Sequence, residues 1–275
     1  MEKGMKPVTI VYMVAGMSSR FNGKVKQLIK VTPKETLIEY STNQALFAGF
    51  NKIIFIVGAK TKQSFKQLFK NNYKGIPVEY VYQTFNPEQR DKPWGTTDAL
   101  CSAKHLLKEP FVICNGDDIY GKDVFKKLFN HLQENYDNNE SATIGYKLID
   151  VIPEKGGVNR GIFKVKDNYA KGLVETFNIE KYNLEKTNTT PEDLCSMNIF
   201  ALHPQTLNIL DHKLQEFKQK YKTNQTIESL LPEEISKLIK NNSLKMKLFT
   251  TFDKWLGVTN PEDEQIIKEK IKDLN

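Results

Sequence analysis

The chain starts on a run of apolar, largely β-branched positions, Val8 to Val14 (VTIVYMV), and then breaks into a small-residue loop from Ala15 to Gly23. From Lys34 to Gly49 the apolar residues Leu37, Ile38, Ala45 and Leu46 fall near helical spacing, which predicts a helix. Lys52 to Val57 (KIIFIV) is a second buried strand, Lys62 to Asn71 a helix, and Val78 to Tyr82 a third strand. Thr97 to Leu107 reads as a helix, Pro110 to Cys114 as a fourth strand, and Asp123 to Leu132 as another helix. Strands that alternate with helices predict a parallel sheet covered on both faces. The unbroken apolar runs agree, because such strands have no solvent side.

After Ala142 the pattern changes. Ala142 to Leu148, Gly161 to Lys166, Gly172 to Phe177 and Ser196 to Leu202 read as strands with no regular helices between them, and the polar stretch Asn183 to Asp193 reads as a loop. Helices are predicted near Pro204 to Tyr221 and Thr226 to Lys240, then a strand from Lys245 to Thr250 and a last helix from Glu262 to Asp273. No internal repeat and no low-complexity linker divides the chain. The expectation is one α/β domain over residues 1–275, with a mostly parallel mixed sheet and a substrate-binding half inserted after residue 140.

Composition narrows the function. No run reaches the ~18–20 apolar residues of a membrane span, and the start of the chain lacks a signal-peptide layout, so a cytoplasmic protein without a membrane partner is expected. Cys101, Cys114 and Cys195 are isolated, with neither disulfide nor zinc spacing. The net charge of +7 suits an anionic partner. The lysines are scattered and no basic block carries interleaved aromatics, which speaks against nucleic acid.

Two constellations carry chemistry. The first is the turn after the first strand, VAGMSSRFNGKVKQL, at the strand end where open α/β sheets bind ligands. Ala15 and Gly16 let backbone N–H groups approach an anion. Arg20 brings a planar fork of donors and Lys26 a compact charge. The segment is neither a Walker loop nor a dinucleotide fingerprint. The second is Asp117 and Asp118, which follow a buried strand in FVICNGDDIYG and are suited to holding Mg²⁺ beside a substrate phosphate. Taken alone, the first is also an ordinary turn with exposed cations, and the second an ordinary helix start.

With AGMSSRF followed by KQL, then KPWGTTDAL and NGDDIYG, the chain resembles nucleotidyltransferases of the sugar-1-phosphate type, and RG, SMN and KWLGVT at later places extend the likeness over nearly the whole length. The resemblance implies the Rossmann-like fold of that family, with residues 1–140 holding the NTP and residues 141–275 the acceptor. It implies Mg²⁺ as cofactor and an NTP (UTP or dTTP first) and a sugar 1-phosphate as partners, with a tendency to self-associate. Residue by residue, it gives Arg20 and Lys26 to the triphosphate, Gln83 to the base edge, Gly95 and Thr96 to the turn around the base, and Asp117 to the metal. Gly161, Glu175 and Asn198 go to the sugar, and Lys254 to the phosphate of the second substrate.

The chain departs from the family's pattern twice. Relatives carry an Asp in the late W-[LI]-D-x-G segment as a second metal ligand, where this chain has Gly257; Asp118 or Asp253 would have to contribute, or Asp117 would work with fewer protein ligands. Relatives carry Glu-Lys-Pro at the sugar site, where this chain reads Glu175-Thr176-Phe177 and so lacks a lysine. Three other functions compete: a cytidylyltransferase for phosphocholine or a sugar-alcohol phosphate, a glycosyltransferase, and a non-catalytic nucleotide-binding regulator. Trp94 has two candidate roles, stacking on a base or plugging its own loop. The four histidines lack metal spacing, and Cys114 reads as core.

Overall fold

The computed structural model describes residues 5–16, 25–258 and 263–272. Strands β1 (Thr9–Val14), β2 (Lys52–Val57), β4 (Ile76–Tyr82) and β5 (Phe111–Asn115) form the parallel half of a ten-stranded sheet, with β1 between β2 and β5. The two-residue β3 (Asn72–Tyr73) pairs with β4 at one edge. The other half is largely antiparallel. β10 (Leu194–Leu202) lies against β5, followed by β7 (Ser141–Lys147), β11 (Met246–Thr250), β9 (Tyr169–Ile179) and β8 (Val158–Lys166), and only β11 and β7 run parallel. The sheet is therefore mixed: its first half is parallel, and its second half holds one parallel pair among antiparallel ones.

Period-two alternation sends each strand's side chains into two separate cores. Ile10, Tyr12 and Val14 join Phe55, Phe65 and Phe125 on one face, under α1 (Leu37–Ala48), α2 (Lys62–Phe69) and α4 (Lys122–Glu134). Val11, Ile54 and Ile113 join Leu100, Leu207 and Ile235 on the other, under α3 (Thr96–Ser102), α5 (Pro204–Lys220) and α6 (Leu231–Lys240). Helix α1 starts on a capping box: Thr36 Oγ1 accepts from the Glu39 N–H and the Glu39 carboxylate accepts from the Thr36 N–H at 2.8 Å. Such a cap is worth about 1 kcal/mol.

Two expected helices are shorter than their apolar spacing predicts. The helix expected from Thr97 to Leu107 ends at Ser102. The one expected from Thr226 begins only at Leu231, with Pro232 in its first turn. Residues 226–230 run as a strap instead, because their backbone groups are taken by the turn at Trp94 and by Arg90. Ser229 N–H donates to Trp94 O at 2.8 Å, and Thr97 N–H donates to Ser229 O at 3.1 Å. A separate two-strand ladder joins β6 (Asp118–Ile119) to β12 (Leu256–Gly257). It brings the acidic pair next to the late KWLGV segment, and α7 (Asp263–Lys272) packs behind it through Ile267 and Ile271.

Candidate active site

A cavity of about 830 Å³ opens at the C-terminal ends of β1, β2, β4 and β5. Ala15 and Gly16 form its floor beside Lys26, Gln83, Gly95 and Thr96, and Asp117 closes one wall. Arg20 lies outside the described residues.

The acidic pair divides its tasks by burial. Asp117 sits at the rim, its side chain 22% exposed, in a close ion pair with Lys26. Lys26 also donates to Val258 O at 3.2 Å, so it bridges the β6 and β12 loops. Asp118 points inward, where its Oδ2 accepts from Asn115 Nδ2 at 3.0 Å and from Tyr120 OH at 3.1 Å. Burial, and then the charge of Asp117, push the Asp118 carboxyl up to about 7, against those two donors and Lys26. The rim carboxylate is thus the one positioned for a ligand in the cavity, and the inner one is held by the core.

The donor set fits a nucleotide-borne Mg²⁺. Among the described residues no three His, Cys, Asp or Glu side chains cluster to make an all-protein cage. Mg²⁺ uses one or two carboxylates and completes its shell with phosphates and water, and Asp117 offers one such carboxylate at the cavity wall. Asp253 is committed elsewhere: its Oδ2 accepts from the N–H groups of Asp123, at 2.7 Å, and Val124, capping α4.

Gly257 leaves no space for the missing acid. A Cβ at this position would lie 2.3 Å from Trp255 Cζ2 and 2.8 Å from Asp118 Oδ1. The indole ring fills the volume that a side chain would take. Gly257→Asp is therefore expected to lower stability by about 1–3 kcal/mol through overpacking, without strengthening Mg²⁺ binding. A thermal melt with and without Mg²⁺ checks both, and a metal-dependent rise in Tm above wild type would show that the site can accept the acid.

On the opposite side of the cavity, Gln83 donates from Nε2 to Gly95 O at 3.0 Å and to Asp98 Oδ2 at 2.9 Å. Lys218 holds the other oxygen of Asp98 at 2.5 Å. Gly95 has φ 98°, and a Cβ there would meet Ser229 O at 2.5 Å, so the turn requires glycine on two grounds. Thr96 Oγ1 accepts from Leu231 N–H at 2.8 Å. Trp94 plugs its loop: its ring lies 3.4 Å from the Arg90 guanidinium carbon and edge-on to Phe217. Arg90 is buried and donates to the carbonyls of Lys92, Asn224 and Ile227. This turn is thereby latched to the 226–230 strap.

The residues expected on the acceptor side gather less tightly. Gly161 on β8 faces Glu175 on β9 in register, and the Glu175 carboxylate lies over the glycine. Loss of water, and then Glu233, push the Glu175 carboxyl up, against Arg160. Asn198 adopts φ 58° at the irregularity in β10, and its N–H donates to Ser196 Oγ at 3.2 Å. Lys254 is exposed and does not line the cavity.

Several cavity residues carry no signal in the sequence. Lys60 lines it after β2, the exposed Tyr82 ends β4, and the exposed Phe85 follows that strand. Gln27 is buried with an Oε1 that no protein donor reaches. The histidines stay structural where they are buried: His131 and His203 both contact Glu140 O. Burial pushes the Cys114 thiol well up, which leaves it inert.

Comparison with known proteins points the same way. The profile of the nucleotidyl transferase family matches residues 22–263. A Methanococcus maripaludis protein named bifunctional protein GlmU is 29% identical over 188 residues, covering 60% of this chain and 41% of that one. A Staphylococcus carnosus protein of the same name is 24% identical over 275 residues, covering 96% of this chain and 53% of that one. The chain thus spans about half the length of these curated relatives. Among solved structures, a Bacillus anthracis protein described as a glucose-1-phosphate thymidylyltransferase, in complex with sucrose, superposes with TM-score 0.71 at 13% identity, covering 98% of this chain and 96% of that one. A UDP-glucose pyrophosphorylase bound to UDP-glucose superposes with TM-score 0.67 at 16% identity, covering 98% of this chain and all of the other, 100%. At these identities the superpositions establish the fold. No helix among the described residues is long and apolar enough to cross a membrane.

Proposed function

The chain belongs to the nucleotidyl transferase family, and we propose that it condenses an NTP, UTP or dTTP first, with a sugar 1-phosphate to give an NDP-sugar and pyrophosphate. The observation that carries this reading is the cavity itself. A cation and a carboxylate, Lys26 and Asp117, stand on one wall, and the side-chain amide of Gln83 stands on the other, beside a turn built on Gly95.

In this reading an oxygen of the acceptor phosphate attacks the α-phosphorus of the NTP. The bond from that phosphorus to the β-phosphate oxygen breaks in line, and pyrophosphate leaves. The nucleophile is already an anion, so no general base is needed. The barrier lies in bringing two anions together, which positioning and fixed positive charge lower. Lys26 screens the triphosphate, with Arg20 assigned to the same task. Asp117 would hold Mg²⁺, which would supply charge neutralisation at the phosphates. Glu175, Gly161 and Asn198 face the sugar, and Lys254 approaches from outside. A pyrophosphate-release screen of each NTP, dTTP included, against sugar 1-phosphates and phosphocholine tests the reaction. Release that requires both an NTP and one phosphorylated partner supports it. Nucleotide binding without release from any pair speaks for a binding domain.

Gln83 supports the choice of base. Both protons of its amide are taken, by Gly95 O and Asp98. Its remaining oxygen is an acceptor, which suits the N3–H of uracil or thymine. Gln83→Leu is expected to lower kcat/KM for the preferred NTP by about 10- to 100-fold, the value of one site-defining hydrogen bond, and to flatten the preference over CTP. Competition kinetics between UTP and CTP measure both, and an unchanged preference would remove Gln83 from base reading.

A further inference from the structure

We propose that Asp98, held by Lys218, sets the base preference of the cavity. It fixes the Gln83 carboxamide with its oxygen toward the ligand, so that a base with a ring N–H is accepted and one with a bare ring nitrogen at that place is refused. The inference rests on the nucleotidyltransferase reading above and makes Asp98 and Lys218 positioning residues that act on the nucleotide through Gln83.

The hydrogen bonds give the first ground. Gln83 Nε2 lies 3.0 Å from Gly95 O and 2.9 Å from Asp98 Oδ2. A carbonyl and a carboxylate only accept, whereas a carboxamide has one donor end and one acceptor end. With the amide turned over, its oxygen would face both of those oxygens. The native orientation therefore has two favourable contacts and the reverse has none. Gly95 O also accepts from Ala99 N–H at 3.1 Å, and Asp98 lies in the first turn of α3, so both acceptors are carried by one helix start.

The ion pair gives the second ground. Asp98 is buried, and its two oxygens have separate partners: Oδ1 accepts from Lys218 Nζ at 2.5 Å, and Oδ2 is left for Gln83. A carboxylate so enclosed is costly without a counter-ion, and Lys218 supplies one from α5. The neighbouring Phe217 packs edge-on to Trp94 with ring centres 6.2 Å apart, which anchors that end of α5 beside the turn at Gly95. The charge matters because an ionised carboxylate offers acceptors to both sides at once, whereas an amide offers one acceptor and one donor group.

The position gives the third ground. Gln83 and Gly95 line the cavity, and Asp98 and Lys218 stand behind them, off its wall. They decide which end of the amide a ligand meets without touching the ligand. An acceptor facing the cavity pairs with the N3–H of uracil or thymine and repels the bare N3 of cytosine. Rejection by a mispaired polar group is sharper than rejection by size alone.

The test is equilibrium binding of UTP, N3-methyl-UTP and CTP, each with Mg²⁺, to the full chain, to Asp98→Asn and to the double variant Asp98→Asn/Lys218→Met, with a thermal melt of each to establish folding. In Asp98→Asn the Lys218 ammonium claims the one oxygen of the new amide and leaves its NH₂ group against Gln83 Nε2. Each orientation of Gln83 then has one favourable contact and one unfavourable one. The ratio of UTP to CTP affinity is expected to fall by about tenfold or more, toward parity. Removing Lys218 as well frees that oxygen to turn back to Gln83, and the double variant is expected to regain most of the ratio. A merely structural Asp98 would weaken both nucleotides together, and a second substitution in the same ion pair would not restore them. Wild type is expected to bind N3-methyl-UTP about tenfold or more weaker than UTP, a readout that needs no variant. Equal ratios in wild type and Asp98→Asn overturn the inference. So does a loss that Lys218→Met leaves unrepaired, or a wild type that binds the three nucleotides alike or not at all. A ratio that follows the amide, together with no pyrophosphate release in the activity screen, would support the base-selecting role and count against the catalytic reading.

Discussion

Asp117→Asn is expected to lower turnover by about 10³-fold or more while the protein stays folded. A metal held beside the reacting phosphates supplies several kcal/mol of charge stabilisation, and each ~1.4 kcal/mol is tenfold in rate. The substitution keeps the shape of the side chain and removes its charge. It also breaks the ion pair with Lys26, whose side chain is 23% exposed. The ammonium retains its bond to Val258 O, and an amide oxygen at 117 still accepts a hydrogen bond, so the expected stability cost is modest, about 1 kcal/mol. Rates of pyrophosphate release across a Mg²⁺ titration, next to a thermal melt, separate the two effects. Asp118→Asn is the necessary comparison. Asp118 is enclosed by Asn115 and Tyr120, so its loss should register more in Tm than in metal dependence. Near-wild-type turnover in Asp117→Asn, with a collapse of metal dependence in Asp118→Asn, would move the metal to the inner carboxylate.

The division between these two neighbours shows where sequence reading stops. The strands of the parallel half are legible because burial on both faces demands unbroken apolar runs such as TIVYMV and KIIFIV. The position of the site follows from that order, since cavities in such sheets form at the carboxyl ends of strands. Which of two adjacent aspartates faces the cavity does not follow from composition. It depends on β6, two residues long, and on its pairing with β12 across well over a hundred residues. No periodicity marks a ladder so short. The late start of α6 is equally hidden: residues 226–230 have ordinary helical spacing, and tertiary bonds to Trp94 and Arg90 override it.

The same close geometry makes Lys26→Met the most informative change at the site, because two of its effects run in opposite directions. In the protein without nucleotide the ammonium occupies Asp117, the carboxylate assigned to the metal. Two cations cannot share that oxygen without repulsion, so Lys26 and a divalent ion are alternatives there until something draws the lysine away. On the proposed function a triphosphate would do so by offering Lys26 stronger partners, which would leave Asp117 free to hold a divalent ion. Methionine preserves the length and apolar contacts of the stem and removes the charge. Catalysis should fall by about 10²- to 10³-fold in kcat/KM, as when one transition-state donor is lost. Binding of Mn²⁺ to the nucleotide-free protein, followed by the spin-resonance signal of the free ion, should instead tighten by about tenfold, because the competing cation at Asp117 is gone. Lower activity together with tighter metal binding would identify the ion pair as a gate that couples metal entry to nucleotide entry. Weaker metal binding in Lys26→Met would mean that the lysine orients Asp117 for the ion rather than competing with it, and the two cations would then have to be placed on different oxygens of the same carboxylate.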